Sequence, residues 1–367
     1  MPPIRSSPSW LSILILAASL PAVAQLSGPQ SDPLARIREA AKTDVQACSV
    51  TGETLCEQVA PKIIANAQGD SPLAENLRRL ALIRSGRKAE TQAEVVSWGV
   101  AAFHDAGISV HTEKFASVEG APPDQENVVA EISGREKPEE WVLLGAHLDS
   151  LTRGSGELND ICEAAMVIES ARDISSTGIR PRRSIRFVLF TGSVPGTPGT
   201  WAYVRSHRAG LDSARASIIF GSGCAPVAGY NLGGRHDIES GVREAMKPVE
   251  PLTAGNFVLE TGLATGTDDF FLEGIPALTT IQGKGNRVRE SADGEDRLAR
   301  NNIAELKRNT AIVAVTAFGI AERLQPVGPR LSRAEMETLL KTTGLDERMK
   351  KTGLWPLWES GQRGRFP

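Results

Sequence analysis

The chain has 367 residues, 41% of them hydrophobic and 23% charged, ordinary globular proportions that supply enough apolar mass for one large α/β unit. A formal net charge of -3, with no basic stripe interleaved with aromatics, removes the electrostatic case for nucleic acid or an anionic membrane as partner.

The N-terminus reads as a targeting segment. Arg5 precedes an apolar run from Trp10 to Leu20, too short to span a bilayer, and Ala22-Val23-Ala24 suits signal peptidase. Residues 1–24 are therefore expected to be a signal peptide. The mature chain would start near Gln25 and work outside the cytoplasm, in the periplasm or secreted, with no membrane span after processing. All four cysteines fall in the mature part, where oxidation is possible. Cys48 and Cys56 flank a short turn-forming stretch, which makes a local disulfide between them an expectation.

Residues 25–90 read as a polar leader followed by amphipathic stretches at Leu34 to Ala47 and Leu77 to Ser85. From Thr91 the pattern becomes regular. A helix is predicted from Thr91 to about Gly107, because Val95, Val96, Val100, Ala101 and Phe103 recur at helical spacing. Strands follow at Asn127 to Ile132, Trp141 to Ala146, Ser184 to Phe190 and Ala216 to Phe220, alternating with helical segments at Ile161–Ile174 and Thr200–Ser206. Continuous apolar strands alternating with helices predict a sheet covered on both faces. Thr267-Asp-Asp opens a short helix that Gly274-Ile-Pro ends, and a long helix from Ile303 to Leu324 closes a domain spanning 91–325. In the tail, 326–367, the Ser332 to Glu335 capping box starts another amphipathic helix, of a kind that usually docks on its own domain.

Ligands of such sheets gather beyond the carboxyl ends of the strands. One strand end reads Ala146-His147-Leu148-Asp149, an imidazole with a carboxylate two residues on that can fix the ring of a metal-bound histidine. A helix start after it reads Asn159-Asp160, which by itself serves equally as a cap.

Five passages in this order, Asn127-Val-Val-Ala, Gly145-Ala-His-Leu-Asp-Ser, Asn159-Asp160, Ile185 to Thr191 and Gly266 to Leu278, resemble the co-catalytic zinc aminopeptidases and plasma glutamate carboxypeptidases, metallopeptidase family twenty-eight. The resemblance runs from about Thr91 to Leu324. It implies a three-layer α/β sandwich, a mixed, mostly parallel sheet with helices on both faces, and two zinc ions over the strand ends. It makes His147 a zinc ligand, Asp149 the carboxylate that orients it, and Asp160 the aspartate bridging both ions.

The likeness then breaks. Where the family has a general-base glutamate followed by a ligand glutamate, this chain has Ser193 and Val194. After the fourth strand, where the family has a ligand aspartate, Phe220-Gly-Ser-Gly-Cys contains no acid. Glu290 stands where the last histidine is expected. The expected metal set is thus His147, Asp160 and Glu290, with no catalytic residue assignable. Cys162 and Cys224 each follow a position that the family uses for zinc, so both should line the former pocket, within bridging reach of one another.

Three classes of function follow. The first is an exported relative without catalysis and without a cofactor, which binds a peptide or another protein. The second is an active one-zinc exopeptidase held by His147, Asp160 and Glu290. The third is a thiol enzyme using Cys162 with His147, for which no oxyanion donors can be assigned. A lost general base typically costs about 10²–10⁴-fold in rate, and lost ligands remove the activated water as well, so the balance of changes favours the first class.

Overall fold

The computed structural model describes residues 53–85, 91–115, 125–148, 155–192, 198–253, 255–259, 267–283 and 303–366. Residues 1–24, expected to be a signal peptide, the stretch 34–47 and Cys48 lie outside them, as do Asp149, Ser193, Val194 and Glu290. All described residues fall in one compact unit, Pro33–Pro367.

In chain order the helices and strands are α1 (Glu53–Gln68), α2 (Leu73–Ser85), α3 (Thr91–Asp105), β1 (Ser109–Phe115), β2 (Gln125–Ile132), β3 (Lys137–His147), α4 (Ser155–Ser175), β4 (Arg183–Phe190), α5 (Pro198–Ser206), β5 (Ala214–Ile219), β6 (Val227–Asn231), α6 (Glu239–Met246), β7 (Asn256–Val258), α7 (Thr267–Leu272), β8 (Ala277–Gln282), α8 (Ile303–Glu322), α9 (Arg333–Thr342), α10 (Leu345–Thr352) and α11 (Leu354–Glu359). One expectation needs correction here. The stretch between Cys48 and Cys56 is not all turn, because α1 already begins at Glu53 and runs through Cys56.

Among the described residues eight strands form one sheet, in the order β1-β2-β4-β3-β5-β8-β6-β7. The centre is parallel: β3 pairs with β4 through Trp141↔Ser184 to His147↔Phe190, and with β5 through Val142↔Ala216 to Gly145↔Ile219. Antiparallel pairs β1–β2, β2–β4 and β6–β8 make the sheet mixed. The central strands are apolar on both sides because both sides are covered. Val142, Leu144 and Ala146 of β3 join one core with α1 to α4, α6 and α8, while Trp141 and Leu143 join a second core with α5, α7 and the C-terminal helices.

α4 packs in the first core and is buried all the way from Ile161 to Ala171, its polar Glu163, Glu169 and Ser170 included. The tail is equally built in. The Ser332 capping box on α9 is complete, and Met336, Leu339, Leu340, Leu345, Met349 and Trp358 pack into the second core.

Beyond α11 the chain returns across α5 and α7. Arg363 sends Nε to Asp269 Oδ1 at 2.6 Å and Nη2 to Oδ2 at 3.0 Å, and Thr200 Oγ1 donates to the same Oδ2 at 2.7 Å. Arg208 donates to the carbonyls of Gly361 and Gly364, and the Arg365 amide donates to Leu272 O. From α5, Trp201 Nε1 donates to Gln362 O at 3.3 Å, so residues 361–365 are fastened by α5, by α7 and by Arg208 beyond the end of α5. Among the described residues no helix is long and apolar enough to cross a membrane.

Candidate functional site

From β3 the chain crosses through α4 to β4 on one side, then through α5 to β5 on the other. The carboxyl ends of β3, β4 and β5 thus flank the point where the strand order reverses, the place where open α/β sheets bind ligands. His147 is the last residue of β3, half-buried, level with Phe190, its ring 6.4 Å from the Phe190 ring. Leu148 N donates to Phe190 O at 2.7 Å and Phe220 N to Gly145 O at 3.0 Å, which holds the three strand ends in register.

The next segment is fixed by Asn127. Its Oδ1 accepts from Thr191 N at 3.1 Å and its Nδ2 donates to Gly199 O at 2.9 Å. The two ends of the stretch that contains Ser193 and Val194 are therefore held together by one amide. Gly199 is required there, since a Cβ would stand 2.0 Å from Thr191 O.

Asp160 lies half-buried in the second turn of α4. Behind it, α4 is joined to the loop after β5 twice over. Cys162 and Cys224 form a disulfide with a Cα–Cα distance of 5.4 Å. Beside it, fully buried Glu163 accepts from Gly223 N at 2.7 Å. Burial pushes the Glu163 carboxyl up to about 8; the Gly223 amide opposes that rise and the Asp160 charge adds to it. Burial therefore favours the protonated form of Glu163. Glu163 is the site residue that the sequence reading missed, although an acid three residues beyond Asp160 in an otherwise apolar run was a visible signal.

The rest of the loop is also committed. Gly221 N donates to Thr280 Oγ1 at 2.9 Å, and that hydroxyl donates to Ser222 Oγ at 3.1 Å. Gly223 has φ +58°, and a Cβ there would come within 2.2 Å of Asn159 Oδ1. Gly223→Ala should therefore cost about 2 kcal/mol or more from the left-handed backbone and the displaced amide together. Urea denaturation that leaves the variant level with the wild type would show that this loop is not held as described.

A zinc ion needs at least three protein donors. Among the described residues no group of three or more His, Cys, Asp or Glu side chains could hold a metal ion. The chemistry of the donors gives the reason. His147 and Asp160 are present, but the loop after β5 offers no carboxylate, both thiols are consumed in the disulfide, and Glu163 is spent on the loop backbone. The described donors do not by themselves fit zinc.

A central parallel sheet, helices on both faces and a site at the switch point define a zinc-exopeptidase-like sandwich. The chain matches peptidase family M28 over residues 127–314 and belongs to that family. It is 33% identical over 201 residues to carboxypeptidase Q of Rattus norvegicus, covering 54% of this chain and 42% of the relative. To carboxypeptidase Q of Homo sapiens it is 29% identical over 158 residues, covering 43% of this chain and 33% of the relative. The matches thus span well under half of these relatives' length. Among solved structures, the peptidase M28 precursor from Shewanella amazonensis superposes with a TM-score of 0.63 at 17% identity, covering 76% of this chain and 99% of that one, a likeness of fold.

Proposed function

We propose that this chain is an exported M28-fold protein of little or no hydrolytic activity, which binds a peptide or a partner protein at the strand-end site. The observation that carries this reading is the loop after β5. A carboxylate is absent from its sequence, and its backbone is joined to α4 by the Cys162–Cys224 disulfide and by Glu163. Ser193 and Val194 agree with it, since neither side chain can serve as a carboxylate base and Val194 cannot bind a metal. Export is supported by the N-terminal segment and by the disulfide, which persists in oxidising compartments.

A second reading is favoured by what survives, His147 and Asp160 in a family of peptidases. With Glu290 they would supply three donors, and a one-zinc exopeptidase would result; the ion would polarise the scissile carbonyl and lower the pKa of bound water.

The two readings separate in one assay. The purified mature protein is expected not to hydrolyse aminoacyl or dipeptide substrates above background, with or without added zinc, and to take up no stoichiometric zinc at equilibrium dialysis. Turnover by the wild type that disappears in His147→Ala would replace the first reading with the second.

A further inference from the structure

At the far end of α5 lies a cluster that the site chemistry does not use. His207 follows the last turn of the helix and stacks on Tyr203, ring centroids 4.2 Å apart. Its Nδ1 is 2.9 Å from Tyr203 O, a carbonyl that can only accept, so Nδ1 carries a proton. Ser206 Oγ also lies 3.1 Å from Nδ1 and itself donates to Tyr203 O. The other ring nitrogen, Nε2, is 3.2 Å from Glu113 Oε1 on β1, and an ionised carboxylate likewise only accepts. Both ring nitrogens therefore face acceptors, an arrangement that only the imidazolium satisfies.

We infer that His207 is a pH-dependent clamp, which in its charged form ties the C-terminal end of α5 to strand β1 and releases that tie on deprotonation. The cation suits this place twice, beside a carboxylate and at a helix C-terminus, where the helix dipole favours positive charge. Other groups face it as well. His111 of β1 lies with Nε2 3.3 Å from the same Glu113 Oε1 but is far more exposed, and Arg186 of β4 opposes the His207 charge while pairing with Glu131 of β2.

The Glu113 hydrogen bond is the main influence raising the His207 pKa, burial opposes it, and the Tyr203 carbonyl and the Glu113 charge add to the rise. For Glu113 burial works upward, but the hydrogen bonds and charges of His207 and His111 outweigh it and hold the carboxyl below its ordinary value. The sign follows. The raised His207 pKa contributes stability that is complete below about 6.5 and is lost as pH rises through the higher folded-state value. The lowered Glu113 pKa contributes stability that is present above about 4.5 and lost as pH falls through its folded-state value. The clamp is thus strongest in mildly acidic solution.

What it holds is the helix beside the candidate site. The first turn of α5 contains Gly199, bound to Asn127, and Thr200, bound to Asp269. Loosening at His207 frees the opposite end of the same nine-residue helix.

The test is an NMR titration of the histidine ring protons in the full mature protein, wild type and Glu113→Gln, with hydrogen exchange of the α5 amides at pH 6 and pH 9. His207 should titrate above the ordinary imidazole value of about 6.5 and titrate lower in Glu113→Gln than in the wild type. The α5 amides should exchange faster at pH 9 after correction for the intrinsic pH effect, and His111→Gln should leave the His207 titration raised. A His207 titration at or below 6.5, or one that Glu113→Gln leaves in place, overturns the inference. So do corrected α5 exchange rates that match at the two pH values. Every readout uses the wild type or a conservative variant of a neighbouring residue, so the test does not depend on a substitution of His207 itself.

Discussion

The Cys162→Ala/Cys224→Ala double variant is expected to lose about 4 kcal/mol of stability, the largest effect of any change at the candidate site. The bridge closes a sequence separation of 62 residues, and in the chain-entropy picture a loop of that length constrains the unfolded state by about that amount. Both positions are almost wholly buried, so replacing the half-cystines also removes packed sulfur atoms that the surroundings cannot refill without moving. The melting temperature should drop by about 5–6 °C for a chain of this size, and reductant should lower that of the wild type more than that of the variant. If the double variant melts within a degree or two of the wild type, the disulfide contributes little and the loop after β5 is held by Glu163 and Thr280 instead.

The second large effect is expected at Asp269 and Arg363. Their side chains are 1% and 7% exposed, and they meet through two hydrogen bonds at 2.6 and 3.0 Å. Removing either partner leaves the other charge buried with its main counter-charge gone, which typically costs about 3–5 kcal/mol. Asp269→Ala and Arg363→Ala should each show that loss in denaturant unfolding, with a lower midpoint. Removing both charges with side chains of similar bulk, Asp269→Leu with Arg363→Met, should cost less than either single change, because no isolated charge remains. Single variants that unfold within about 1 kcal/mol of the wild type would mean that water reaches the pair and the C-terminal segment is only loosely seated.

The central architecture was legible because its physical demands are severe. β3, β4 and β5 are covered on both faces, so nearly every residue from Trp141 to Ala146 and from Ile185 to Phe190 must be apolar. Such runs stand out in a bare sequence. β1 did not stand out, because Ser109-Val-His-Thr-Glu-Lys-Phe is polar at most positions and gains its place by pairing with β2, a long-range term that local pattern does not contain. β6 and β7, of 5 and 3 residues, are too short for periodicity to declare them.

At the site, the histidine ending β3 stood out by its place in the pattern, whereas Asp160, expected at a helix start, lies in the second turn of α4, which already begins at Ser155. The partnership of Cys162 with Cys224 could be suspected only through the family likeness, since the spacing of two cysteines says nothing about which strand ends are neighbours. The contact between Asp269 and Arg363 spans 94 residues and that between Glu113 and His207 joins an edge strand to a helix end, so neither leaves a local trace.

The fastening of residues 361–365 across α5 and α7 also bears on the order in which the molecule can be completed. A chain emerging from the N-terminal end can pair β2 with β4, and β3 with β4 and β5, well before residues 361–365 exist. The guanidinium that meets Asp269 emerges 94 residues after it, and the carbonyls that meet Arg208 belong to the same late segment, residues 361–365. The second core therefore closes late. Until then the apolar faces of α7 and of the incoming C-terminal helices are open to other chains, the interval in which large proteins are most exposed to aggregation.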